Sequence, residues 1–182
     1  MAASLVETNP DRLEYIKSYA ITQNVNIISP KNPLEKEKAL QFLADLAKKY
    51  PRSHILKRTP LQITEGDAFK DRVDEYLKPM LRKGVPSLFV ALKSIFTPAK
   101  LAIIESLSES YLDNLRNSSS FSTDGQKEPP STLTWTLLFA AQLYDYKLQS
   151  TKAIALIDEL LEHTPTLVEA YMIKARIYKV SW

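Results

Sequence analysis

Shifted by 34 residues, the chain lies over itself. "LLFAAQLYDY" (137–146) falls on "YMIKARIYKV" (171–180), pairing Ala141 with Ala175, Leu143 with Ile177 and Tyr144 with Tyr178. A second register sets "AIALIDELLEHTP" (153–165) over "ALQFLADLAKKYP" (39–51), pairing Ala153 with Ala39, Ile157 with Leu43, Leu160 with Leu46 and Pro165 with Pro51. "SLVETNP" (4–10) falls on "ELLEHTP" (159–165) in the same frame. Apolar residues three and four apart mark these segments as helices, and self-similarity at a fixed period marks stacked units.

A period of 34 residues built from two helices is that of tetratricopeptide repeats. There a small residue lets the first helix cross the second, an aromatic fills the groove beside it, and a proline follows the second helix. The fold class expected is therefore all-α: a tetratricopeptide-like helical-hairpin solenoid with a right-handed superhelical course. Such a unit cannot cover its own apolar face, so stable arrays need about three or more units with polar caps. Neither end carries a cap, and the chain reads as truncated at both ends, a window on a longer solenoid. It divides as one segment, 1–182, with irregular repeats over 11–51 and 65–117, a loop over 118–130, a regular repeat over 131–165 and a half repeat over 166–182.

Local signals fill in this frame. Helices are expected over 11–23, with Leu13, Ile16, Tyr19 and Ala20 on one face, and from Leu34 to Tyr50. The polar stretch between them lengthens this repeat to 41 residues. "PRSHILKRTPLQIT" holds two prolines and no amphipathic period, so it reads as an extended connector. Residues 65–82 are expected to be helical, with Phe69, Val73, Tyr76 and Leu77 inward and Pro79 kinking or ending the last turn. A short apolar helix follows over 85–96. Thr97 and Pro98 are a cap and first position that open the next helix, with Leu101, Ile104, Leu107, Tyr111 and Leu115 as its stripe. A Thr166–Glu169 capping box opens the last helix.

Composition agrees with helices and narrows the chemistry. Three glycines against eleven prolines leave little for hairpin turns or phosphate-cradling loops, and Gly66, Gly84 and Gly125 are isolated. With no cysteine there is no disulfide, thiolate zinc site or thiol nucleophile. No apolar run is long enough for a membrane span, and the first residues lack the pattern of a signal peptide, which makes the cytoplasm the default. Of the two histidines, His163 sits near a helix end and His54 has no carboxylate close in sequence. Glu65, Asp67, Asp71, Asp74 and Glu75 read as a solvated helix face rather than a carboxylate cluster. No catalytic constellation and no metal-ligand spacing emerges.

Two basic clusters remain as contact candidates, because a net charge of +3 is too mild to name a partner. Lys48, Lys49, Arg52, Lys57 and Arg58 accumulate in a stretch free of acids, where they either meet RNA phosphates or solubilise a helix end. Lys174, Arg176 and Lys179 alternate with Tyr171 and Tyr178. They either grip a polyanion or form ordinary exposed charge.

Several motifs, in order, resemble one family. "NPDRLEYIKSY", "KYPRSHILKRTPLQI", "KGVPSLFVALKSIF", "KLAIIESL", "EPPSTLTWTLLFAAQLYD" and "TPTLVEAYMIKARIYK" are similar to consecutive landmarks of the auxiliary subunit of the N-terminal acetyltransferase A (NatA) complex. The resemblance spans nearly the whole chain. It implies a noncatalytic scaffold that binds and modulates a separate catalytic acetyltransferase subunit and anchors it to the ribosome, with Lys48, Lys49, Arg52, Lys57 and Arg58 at the RNA contact. It also implies inositol hexakisphosphate at the boundary with the catalytic subunit, with Lys174, Arg176, Tyr178 and Lys179 contributing; no cofactor of the chain's own is expected. The competing readings are a free-standing tetratricopeptide-repeat adaptor that grips an extended peptide, and a chain that itself transfers acetyl.

Overall fold

The computed structural model describes residues 1–117 and 129–180, with backbone alone at residue 180. Its order is α1 (Ala2–Thr8), α2 (Leu13–Thr22), α3 (Pro33–Lys49), α4 (His54–Ile63), α5 (Gly66–Arg82), α6 (Leu88–Lys93), α7 (Pro98–Asn117), α8 (Ser131–Tyr146), α9 (Ser150–His163) and α10 (Val168–Val180). Among the described residues every element is helical, as the repeat pattern requires. The loop expected over 118–130 lies outside the described residues as far as 128. Two compact units divide the chain, Met1–Tyr76 and Leu77 onward.

In the first unit, α1 pairs with α2 and α3 with α4. Ile16 and Ala20 of α2, Ala39, Leu43 and Leu46 of α3, and Leu56 and Ile63 of α4 share one core, with Ile27 from the loop between α2 and α3. The small residue Ala39 is completely buried, as expected of a position where helices cross.

The largest departure from the sequence reading is α4, where an extended connector was expected. Proline at position 60 removes a donor from this helix, an interior defect of about 3 kcal/mol. Burial of Leu56, Pro60, Leu61 and Ile63 offsets it, at about 1.5–3 kcal/mol for each fully buried aliphatic side chain. The helix start is also anchored from a distance. Ser53 caps it by accepting from the Leu56 N–H at 3.2 Å, and the same hydroxyl faces Asp11 Oδ1 at 3.0 Å and the Pro10 carbonyl at 2.8 Å. Asp11 Oδ1 further accepts the Ile55 N–H at 3.0 Å.

Burial pushes the Asp11 carboxyl up, but hydrogen bonds from Ile55, Ser53 and His54 outweigh it and hold the group below the ordinary 3.8. A depressed carboxylate contributes stability that is fully present above its unfolded value and is lost as pH falls through the folded one. Asp11→Ala is expected to destabilise the chain by about 1 kcal/mol at neutral pH, the worth of a helix N-cap, while Asp11→Asn keeps most of the acceptor's effect. Urea midpoints of Asp11→Ala and the parent should converge below pH ~4, where the parent's carboxylate is protonated. A gap that persists at pH 3 would show that the charge is irrelevant.

The second unit is built around α8, which buries Leu137, Leu138, Phe139, Ala140, Ala141, Leu143 and Tyr144 on several sides. α9 contributes Ala153, Ile157 and Leu160 to the same core, and α10 contributes Ala170, Ile173 and Ile177. Polar cross-links tie this core to α7. Arg116 meets Glu159 with two hydrogen bonds at 2.8 and 2.5 Å, Lys147 meets Glu105 at 2.5 Å, and the Tyr144 hydroxyl donates to Glu109.

Three local expectations shift. α5 continues past Pro79 to Arg82 and ends at Gly84, whose φ of +66° lets the Gly84 and Val85 N–H groups reach back to Leu81 and Met80. α7 does begin at Pro98, and the Lys100 N–H reaches Thr97 Oγ1 at 3.3 Å. Its buried face is Lys100, Ile104, Ser108, Tyr111 and Leu112, so Leu101, Leu107 and Leu115 are only half-buried. α10 starts at Val168, one residue later than a Thr166 cap would place it.

Candidate functional site

The two basic clusters come from different units and are built differently. In the first unit, Lys48 and Lys49 lie in the last turn of α3, where cations complement the helix dipole. Arg52 is exposed in the turn after it, and Lys57 and Arg58 ride on α4. Lys49 Nζ bonds Glu7 at 2.9 Å and lies 5.3 Å from the Tyr50 ring centroid, and the Glu7 hydrogen bond holds its ammonium above the ordinary lysine value. Lys48 pairs with Asp45 at 3.4 Å, and both side chains are largely exposed.

Folding α4 as a helix brings Lys48 and Lys57 to the mouth of one cavity of about 440 Å³. Leu43, Ala47 and Pro60 line it, and Arg72 of α5 adds a third cation. Sequence reasoning missed Arg72 because it lies among the acids of α5. Lys49 and Arg52 do not line this cavity. Of the α5 acids, Glu65, Asp67, Asp71 and Glu75 are exposed and Asp74 is half-buried. Among the described residues no group of His, Asp and Glu is placed to hold a metal ion.

The second cluster sits on α10. Ala170, Ile173 and Ile177 face the core, which turns the cations outward. Lys174 Nζ bonds Asp158 of α9 at 2.5 Å, and Arg176 bonds Asp145 of α8 at 2.5 Å. The Asp158 hydrogen bond raises the Lys174 ammonium above the ordinary lysine value. Tyr171 donates to the Pro165 carbonyl at 2.9 Å, Tyr178 is about half exposed at 47%, and Lys179 is exposed. The three α10 cations are thus offset by two carboxylates at bonding distance. The remaining charge is too small for a polyphosphate held by α10 alone.

His54 Nδ1 and Nε2 have no role in an acid–base pair that the described residues reveal; its nearest charged neighbour is the carboxylate of Asp11, engaged in capping. No described helix is long and apolar enough to cross a membrane. What both clusters offer is contact, with apolar walls and cations at the rim.

Comparison with known proteins gives this arrangement its context. The chain is 38% identical over 177 residues to the N-terminal acetyltransferase A complex auxiliary subunit NAA15 of Arabidopsis thaliana, covering 96% of this chain and 20% of that protein. It is 38% identical over 146 residues to the mouse N-alpha-acetyltransferase 16, NatA auxiliary subunit, covering 79% of this chain and 17% of that one. The chain therefore spans about a fifth of the length of these curated relatives. A solved structure of Naa15/Naa10 bound to HypK-THB superposes with a TM-score of 0.81 at 29% identity, covering 99% of this chain and 26% of that one. The family described as "N-terminal acetyltransferase A, auxiliary subunit" matches residues 1–181. With helical hairpins, ordered motifs and outward-facing contact clusters all in agreement, the chain belongs to the family of NatA auxiliary subunits.

Proposed function

We propose that these residues form part of a noncatalytic helical scaffold that binds and modulates the catalytic subunit of NatA and anchors it to the ribosome in the cytoplasm, where nascent N-termini are acetylated. The observation that carries this reading is the similarity, along nearly the whole chain, to the Naa15 of a Naa15/Naa10 structure. Packed helical units suit the task, since each contributes surface while its own core holds its shape.

On this reading Lys48, Lys57 and Arg72, with Arg52 and Arg58 nearby, supply cations for ribosomal RNA. An inositol hexakisphosphate site at Lys174, Arg176, Tyr178 and Lys179 requires a ligand that displaces Asp145 and Asp158, and further cations from outside α10.

The test uses the full-length protein that contains this chain, tagged and co-expressed with the catalytic acetyltransferase subunit. Both that subunit and ribosomes are expected in the purified material. The 182-residue chain alone, given labelled acetyl-CoA and a peptide with a small N-terminal residue, is expected to show no turnover. Purification without either partner, or turnover by the chain alone, would reject the scaffold reading.

A further inference from the structure

The stretch between α2 and α3 has no role in the function above, yet it is the most built surface of the first unit. α2 ends with Asn24 at φ 55°, and the Asn24 and Val25 N–H groups bond back to Ile21 and Ala20 at 3.0 and 2.9 Å. Asn26 Oδ1 then accepts from Ile28 and Ser29 at 3.2 and 3.0 Å, while its Nδ2 donates to the Ser29 carbonyl at 2.6 Å. Asn32 caps α3 by accepting the Glu35 N–H at 2.8 Å. Ile27 is buried beneath this loop at 2% exposure and pins it to the core. The loop is held by consecutive local motifs, so little ordering entropy remains to oppose binding.

This framework opens a cavity of about 660 Å³ whose rim carries Lys17, Lys31 and Lys38. None of the three has a carboxylate partner among the described residues. The one carboxylate in the lining, Glu35, is committed elsewhere: Oε2 accepts the Lys31 N–H at 2.8 Å and Oε1 the Asn32 amide at 3.0 Å. The apolar part of the lining is aliphatic. Ile21 stands 72% exposed and Ile28 38% exposed, with Val25 half-buried between them.

We infer that the pocket between α2 and the start of α3 docks a protein segment rich in Asp and Glu that carries aliphatic anchors. Three unpaired lysines call for carboxylates, and exposed isoleucines on a rigid loop call for apolar side chains. Nucleic acid answers the charge but not the floor, because the lining holds no aromatic ring and no arginine on which a base could stack.

The test follows binding to the 182-residue chain by fluorescence polarisation. The probes are a fluorescein-labelled peptide of Asp and Glu bearing two leucines, the same peptide with both leucines replaced by serine, and an oligouridylate of equal charge. Saturable binding is expected for the first probe only. Lys38→Glu should weaken it about tenfold, as for a lost interfacial charge. Ile21→Ser should weaken it about fivefold, as for a partly buried aliphatic contact, with the salt dependence unchanged. Ile21 is exposed, so this variant folds like the parent and decides the matter even if a lysine variant does not. Equal binding of both peptides, oligouridylate binding as tight as the leucine peptide, or indifference to Ile21→Ser would overturn the inference. No catalytic subunit or ribosome takes part, so this result stands apart from the scaffold reading.

Discussion

Gly84→Ala is expected to destabilise the unit that begins at Leu77 by about 3 kcal/mol, through two independent effects. Gly84 closes α5 at φ +66°, a conformation that costs an L-residue about 1–2 kcal/mol. A Cβ built there would also stand 2.3 Å from Trp135 Nε1 and under 3 Å from two further indole atoms. Trp135 packs against the core around α8, so it cannot yield without disturbing that packing, and overpacking of this kind costs about 1–3 kcal/mol. Gly66 supplies the comparison, because its φ is +57° but nothing lies within 4 Å of its added Cβ. Gly66→Ala should therefore cost only about 1 kcal/mol, the conformational part alone. In a double-mutant cycle, Trp135→Leu should recover the steric part of the Gly84→Ala loss and leave the backbone part. Thermal unfolding separates these outcomes, since about 3 kcal/mol lowers the midpoint by roughly 6–12 °C in a chain of this size. Equal losses for Gly66→Ala and Gly84→Ala would mean that the indole does not constrain the turn.

The same contact shows what a linear reading captures. "KGVPS" and "EPPSTLTW" stand out as separate landmarks about 50 residues apart, but nothing in either says that the glycine of one lies under the tryptophan of the other. The repeat frame was legible, since Ala39, Leu43, Ala153, Ile157 and Leu160 are all buried at the positions that their pairing marks. Failures arose where tertiary contacts decide. α4 was read as a connector because Pro60 counts against a helix locally, whereas Asp11 caps it from more than 40 residues away. In α7 the apolar stripe was placed too far round, because hydropathy discounts Ser108 and Lys100. The Ser108 hydroxyl satisfies itself on the Ile104 carbonyl at 2.7 Å and is buried without penalty. The cations on α10 were legible as cations only. Their partners, Asp158 and Asp145, lie on other helices, and pairing decides how much charge a ligand would meet.

Leu138→Ala is expected to cost about 2–5 kcal/mol and Met172→Ala no more than about 0.5, although the two residues occupy the same place in the repeat. Leu138 is 3% exposed and Met172 67%. The contrast extends around the helix. α8 buries two faces: Thr136, Phe139 and Leu143 on one, Leu137, Leu138, Ala141 and Tyr144 on the other. In α10 the counterparts of the first face, Ala170, Ile173 and Ile177, are buried, while those of the second, Tyr171, Met172, Ala175 and Tyr178, are exposed. The repeat therefore specifies which positions are apolar, and neighbouring helices determine which of them yield stability. Ala141→Leu and Ala175→Leu extend the comparison: the first should cost about 1–3 kcal/mol by overpacking, the second should be close to neutral. Urea unfolding of the four variants measures all of these differences. Similar losses from Leu138→Ala and Met172→Ala would require that the face of α10 carrying Tyr171, Met172, Ala175 and Tyr178 be covered in the chain by itself. Near-neutral results at α10 beside large ones at α8 would establish that face as apolar surface whose contribution to stability depends on a contact made with another helix.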